Sequence, residues 1–121
     1  ADGTARTTLE QRTETSNHIA SQHAGALFTL GEAASGAAMA GGFVEMMMQI
    51  RPVAAKAEIA YTKVAKGIIT AHGEVRGDVS ALKAELNENG RVQFPVHVSM
   101  TDEKGNEVAT MSVDWHLKKV A

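Results

Sequence analysis

HAGALFTLGEAASGAAMAGG, residues 23–42, decides how this chain is read. Apart from His23 at its start, the stretch holds one ionisable side chain, Glu32, and every other position is small, apolar or hydroxylic. Alanine is the strongest helix former, and no proline interrupts the run. The paired glycines 41 and 42 are a stop signal, so a helix is expected from about His23 to Met39. Leu27, Phe28 and Leu30 sit among alanines around nearly the whole circumference, which predicts a helix buried on almost all sides. The longer run from Ala24 to Met48 is the one stretch that could be taken for a membrane span. Glu32 and Glu45 lie inside it and Ala/Gly runs insert weakly, so a core helix is the better reading and no membrane partner is expected.

Outward from this helix the period changes. Residues 4–11 (TARTTLEQ) read as a strand and residues 12–22 as a polar connection. After the helix, Phe43 to Ile50 forms a short segment, and Pro52 marks the turn to extended chain. Val53, Ala55, Ala57, Ile59 and Tyr61 then alternate with Ala54, Lys56, Glu58 and Ala60, the signature of a strand covered on one face. Residues 67–75 read as a further strand and Val79 to Leu86 as a short helix, with Asn89-Gly90 closing a turn. Val92, Phe94, Val96, Val98 and Met100 alternate cleanly, as do Ala109, Met111, Val113, Trp115 and Leu117 beyond a turn at 102–106, so a hairpin is expected there. The class is therefore α+β, an antiparallel sheet of five to six strands wrapped around one long central helix. A sheet of that kind has edges that invite a second copy.

The chain's 121 residues suffice for one domain, 1–121, and not for two cores. Twelve Lys and Arg against fourteen Asp and Glu give a net charge of -2, with the basic residues scattered singly, so nucleic acid is not an expected partner. There is no cysteine, hence no thiolate chemistry, in keeping with a cytoplasmic setting. No basic segment followed by an apolar one opens the chain, so a signal peptide is not expected. The five histidines lack metal-ligand spacing, and no metal is expected.

Two features carry chemistry. A lone carboxylate in a helix that must be buried is costly unless it is satisfied by hydroxyls such as Thr29 and Ser35 or faces a cleft, where it can act as a general base or nucleophile. At the helix entry, Asn17, His18, Ser21, Gln22 and His23 crowd the approach, and Ala24 and Gly25 leave the first turn free of bulk. Free N–H groups there either are capped by Ser21 or Gln22 or can hold a developing oxyanion. Nine residues separate His23 from Glu32, which in a helix is roughly half a revolution and about 13 Å along the axis. Within one chain the two cannot meet over one substrate. If both act together, two copies must form the site, with His23 of one facing Glu32 of the other.

The segment Asn17 to Ala40, NHIASQHAGALFTLGEAASGAAMA, resembles the signature of hotdog-fold thioesterases of the phenylacetate-degradation type: Asn, five residues, His-Gly-Gly, and an acid nine positions after the His. AEIAYTKVAKG (residues 57–67) is similar to that family's strand pattern, as is the terminal hairpin around Gly105 and Trp115. The resemblance implies an acyl-CoA thioester hydrolase in which Glu32 activates water or attacks the thioester, Asn17 positions the water or substrate, His23 polarises the carbonyl or holds the loop, and the N–H groups of Ala24 and Gly25 bind the oxyanion. It implies a homodimer or a dimer of dimers, with coenzyme A part of the substrate and no separate cofactor. Three departures stand out: Glu32 replaces the commoner Asp, Ala24 replaces the first Gly of His-Gly-Gly, and a hydroxyl on the strand before the tyrosine is replaced near 54–56. The alternatives are a non-catalytic module that binds acyl thioesters and a hotdog enoyl hydratase or dehydratase. Met46 to Met48 with Phe43 are expected to be packing residues, Trp115 is expected in the core, and Lys63, Lys66 and Arg91 are the cations open to coenzyme A phosphates.

Overall fold

The computed structural model describes residues 3–9 and 24–120. In chain order these form strand β1 (Thr4–Leu9), helix α1 (Ala24–Gly42), a 3₁₀ helix (Val44–Gln49), strands β2 (Ile50–Tyr61) and β3 (Ile69–Val75), helix α2 (Val79–Asn89), and strands β4 (Arg91–Thr101) and β5 (Glu107–Lys119). The five strands make one antiparallel sheet in the order β1-β3-β4-β5-β2, with β1 and β2 at its edges. The expected polar connection at 12–22 lies outside the described residues.

Helix α1 lies across one face of the sheet. Leu27, Leu30 and Ala34 pack with Val98, Met100, Met111 and Val113 in one part of the core. Met39 and Phe43 pack with Phe94, Val96 and Leu117 in the other, where the rings of Phe43 and Phe94 stack at 5.2 Å. The helix approaches β3 so closely that a Cβ on Gly73 would stand 2.7 Å from the carbonyl oxygen of Ala34, inside any real contact distance. Glycine is required there because the obstacle is backbone, which cannot rotate away. A Cβ on Gly31, 2.6 Å from the sulfur of Met111, would meet only a flexible side chain.

Four expectations are corrected. The helix runs to Gly42, so the paired glycines are its last residues and not its stop. It is buried along one face only: Leu27, Leu30, Ala34, Ser35, Ala38 and Met39 are covered, while Thr29, Glu32, Ala33 and Ala37 are exposed. A single sheet covers one side of a rod, and alanine costs little when left in water. The alternation in β2 changes phase, since an irregularity at Ala55 puts Pro52 and Ala54 on the same face as Ala57, Ile59 and Tyr61, opposite Leu117, Trp115, Val113, Met111 and Ala109 of β5. Val53 thus turns to the outer face, where it is 50% exposed; one extra residue in a strand flips everything before it. Finally, the helix expected at Val79 to Leu86 runs on to Asn89, so the turn expected at Asn89-Gly90 is its C-terminal end. Asp78 caps α2 at its start by accepting from the N–H of Ser80, and Gly90, with φ of 77°, donates its N–H to the carbonyl of Leu86.

The β4–β5 hairpin follows the expected alternation, with Val92, Phe94, Val96, Val98 and Met100 all buried. Its turn is built on Asp102, whose Oδ1 accepts the N–H groups of Lys104 and Asn106, each at 2.9 Å. The backbone N–H of Asn106, ahead of the Asn106 amide and Lys104, holds the Asp102 carboxyl below its ordinary value of 3.8. A carboxyl depressed in the folded state stabilises above its unfolded value, and that contribution disappears as pH falls through the folded one. The melting-temperature gap between wild type and Asp102→Asn is therefore expected near neutral pH and should close as pH drops below 3.8. Gly73→Ala should destabilise by about 1–3 kcal/mol in a denaturant titration, because helix and strand must part to admit the methyl group.

Candidate active site

The site is built on one flank of α1. Glu32 is exposed and sits on the helix between two positions that meet Trp115 of β5. Ser35, three residues on, lies about 60° to one side of it in helical projection, and Gly36 lies about 40° to the other. The Ser35 hydroxyl accepts the indole Nε1–H of Trp115 at 3.1 Å, and a Cβ on Gly36 would lie 3.6 Å from the Trp115 ring. The flank bearing Glu32 therefore faces the β5–β2 side of the sheet, not the β1–β3 side, where Thr7 of β1 donates to the carbonyl of Leu30 at 3.4 Å.

On the Glu32 side the sheet extends past the helix. Ala57 and Ile59 of β2, together with Phe28 and Trp115, are only half-buried against the core. Tyr61 is 48% exposed at the far end of the strand. Helix, half-covered β2 and the Trp115 ring thus form an open trough with a carboxylate on its rim and an apolar floor. A shallow depression of about 230 Å³ between Glu58, His97, Thr110 and Ser112 opens on the outer face of the sheet, away from α1.

Ser35, fully buried, is the one polar side chain in the core among the described residues. Its hydroxyl donates to the backbone carbonyl of Glu32 at 2.8 Å, not to the Glu32 carboxylate. The hydroxyl thought able to neutralise Glu32 holds its main chain instead and leaves the carboxylate to the trough. Glu32 is not sequestered as expected: it is exposed, although Ser35, about 60° away in projection, is fully buried.

Ala24 and Gly25 open α1, so their N–H groups lie in its first turn, where no earlier helical carbonyl can accept them. Asn17 and His23 lie outside the described residues. Within the chain, Glu32 is eight residues beyond Ala24, about 12 Å along the axis, so the structure does not bring the helix tip and the carboxylate together. Lys63, Lys66 and Arg91 are exposed. Of Met46 to Met48, the first is buried, the second is half-buried against the core and the third is 95% exposed, so Met48 alone departs from the expected packing. Trp115 is half-buried and touches both parts of the core. Its role and that of Ser35 were missed in the sequence; the available signal was a hydroxyl in an otherwise apolar helix one turn from the acid.

A family model described as a domain of unknown function, DUF4442, matches residues 1–117. The chain belongs to that family. No curated protein matches the sequence. Among solved structures, it is similar to a probable thioesterase from Pseudomonas aeruginosa, with 27% identity and a TM-score of 0.80 over 97% of this chain and 77% of that one. A hypothetical thioesterase from Streptococcus pneumoniae with coenzyme A matches at 22% identity and a TM-score of 0.74, over 98% and 80% of the two chains. The PaaI protein from the phenylacetic acid degradation operon of E. coli matches at 17% identity and a TM-score of 0.69, over 99% and 75%. The DUF4442 chain thus has the thioesterase-like hotdog fold, an antiparallel five-stranded sheet with a long helix packed against it. None of its helices is long and apolar enough to cross a membrane, among the described residues.

Because Glu32 is exposed and its carboxylate supports no packing, Glu32→Ala is expected to change stability by less than about 0.5 kcal/mol. Thermal unfolding of the variant beside wild type checks this.

Proposed function

We propose that this protein hydrolyses thioesters of the acyl-CoA type at a site shared across a homodimer, with Glu32 as general base or nucleophile and the first turn of the partner subunit's α1 as oxyanion hole. The observation that carries the reading is the placement of Glu32 on the flank of α1 that faces the open side of the sheet. That side ends in β2, a 12-residue strand paired among the described residues to β5 alone. A second copy added there as a continuation of the sheet has the same trough and carboxylate in two-fold relation, which is the geometry that could bring a helix tip to Glu32. The fold likeness to thioesterases, one of them with coenzyme A, supports the same class of substrate.

In this mechanism the thioester carbonyl oxygen lies against the N–H groups of Ala24 and Gly25, with the positive end of the helix dipole behind them. Asn17 holds the water or substrate and His23 polarises the carbonyl or holds the loop. Glu32 takes a proton from water as its oxygen bonds to the carbonyl carbon, and the negative charge moves onto the carbonyl oxygen. The intermediate collapses, the C–S bond breaks, and the departing thiolate takes the proton from Glu32. The products are a carboxylic acid and a free thiol.

Thiol release from short, medium and aromatic acyl-CoA thioesters tests the activity, and Glu32→Ala should lower it by about 10²–10⁴-fold. Wild type that releases no thiol, with Glu32→Ala indistinguishable from it, contradicts the proposal; ligand binding without turnover points to an acyl-thioester-binding module instead. Sharing is tested by mixing Glu32→Ala with Gly25→Pro, which removes one N–H of the helix tip. Random exchange makes half of the dimers mixed, each with one intact site, so two inactive proteins should recover about a quarter of wild-type activity.

A further inference from the structure

The hydrogen-bond chain from Trp115 through Ser35 to the Glu32 carbonyl links β5 to the helical turn that bears the carboxylate. Indole Nε1–H donates to Ser35 Oγ at 3.1 Å, and that hydroxyl donates to the carbonyl oxygen of Glu32 at 2.8 Å. The two tryptophan neighbours on the helix, Ser35 and Gly36, flank Glu32 in projection, so the indole lies directly under its turn. A Cβ at position 36 would lie 3.6 Å from the ring, an ordinary van der Waals distance, so the indole packs against this turn.

A buried hydroxyl in a helix gains nothing from bonding back to its own backbone alone, and such bonds tend to bend the helix. Here the hydroxyl has a second partner from another element, and a donor at its lone pair strengthens its own donation. The Glu32 peptide carbonyl is drawn toward Ser35, which fixes the tilt of that peptide plane and with it the direction of the Glu32 Cα–Cβ bond. The ring also bridges both parts of the core and sits opposite Ala54, at the irregularity in the edge strand. One side chain therefore couples the height of the Glu32 turn to the strand at which a second copy would join.

We infer that Trp115 and Ser35 are positioning residues that aim the Glu32 carboxylate across the trough. The inference rests on the functional reading of Glu32 given above. Positioning matters because a misplacement of about 1 Å can cost on the order of 100-fold in rate.

Ser35→Ala removes the relay hydroxyl, and Trp115→Phe keeps an aromatic ring without its N–H. Each is expected to lower kcat about tenfold while KM stays within about twofold, and the double variant should be no worse than the poorer single, because the three groups act as one chain. The chain has one tryptophan, so its indole N–H resonance is unambiguous; it should shift and exchange faster in Ser35→Ala. Melting temperatures identify any variant that has failed to fold, and the other single then carries the comparison. Variants that melt lower yet keep wild-type kcat overturn the inference, as does an unmoved indole resonance, and both leave thioester hydrolysis standing. A wild type inert toward thioesters overturns the functional reading itself and the positioning role with it.

Discussion

The seat of α1 on the sheet depends on a contact between two backbones. The carbonyl of Ala34 lies where the side chain of residue 73 would begin, and only glycine lets helix and strand come that close. Everything else about the site follows from that approach. It sets which helix face is buried, brings Ser35 down to the level of the Trp115 indole, and leaves Glu32 on the rim. Alanine at positions 34 and 38, both fully buried, keeps the helix low along its length. A low helix in turn lets a five-stranded sheet cover it on one side and still carry an uncovered strand beyond.

That uncovered strand gives the single chain its unfinished character. β2 is long and mostly exposed, with apolar side chains on both faces, from Val53 outside to Ile59 within. Charge tempers the outer face: Lys56 and Glu58 pair at 2.7 Å, and each draws the other further toward its ionised form. Natural edge strands use such charges against indiscriminate pairing. Elsewhere the small elements are pinned by single ties, among them the ion pair between Glu45 of the 3₁₀ helix and Lys83 of α2, where the Lys83 ammonium lowers the Glu45 pKa. That pair is largely open to solvent and contributes little energy.

The chemical elements of the trough divide between strength and direction. An exposed carboxylate with nothing to hold it against the reacting groups is a poor catalyst on its own. The ordered part lies beneath it, where a fully buried hydroxyl and an indole hold the main chain of its turn. In the proposed dimer, the partner subunit's helix tip would add a row of oriented N–H groups and the second copy would help to exclude water.

What the sequence determined alone was local. Composition and period marked α1, the β4–β5 hairpin and the single acid within the helix, because helix propensity and two-residue alternation act over a few neighbours. Motif spacing pointed to the same residues as the chemistry of a lone carboxylate did. Only the tertiary structure decided which side of α1 meets water, since a circumference made mostly of small residues gives little preference and the sheet's extent does. It also decided the phase of β2, where one extra residue at Ala55 turned Val53 outward, and gave Asn89-Gly90 to a helix end, because the residues before it had a core to pack against. The link between Trp115 and Ser35 spans 80 residues, and no periodic pattern carries information over that distance. Such contacts exist only once the whole sheet has brought its edge to the helix.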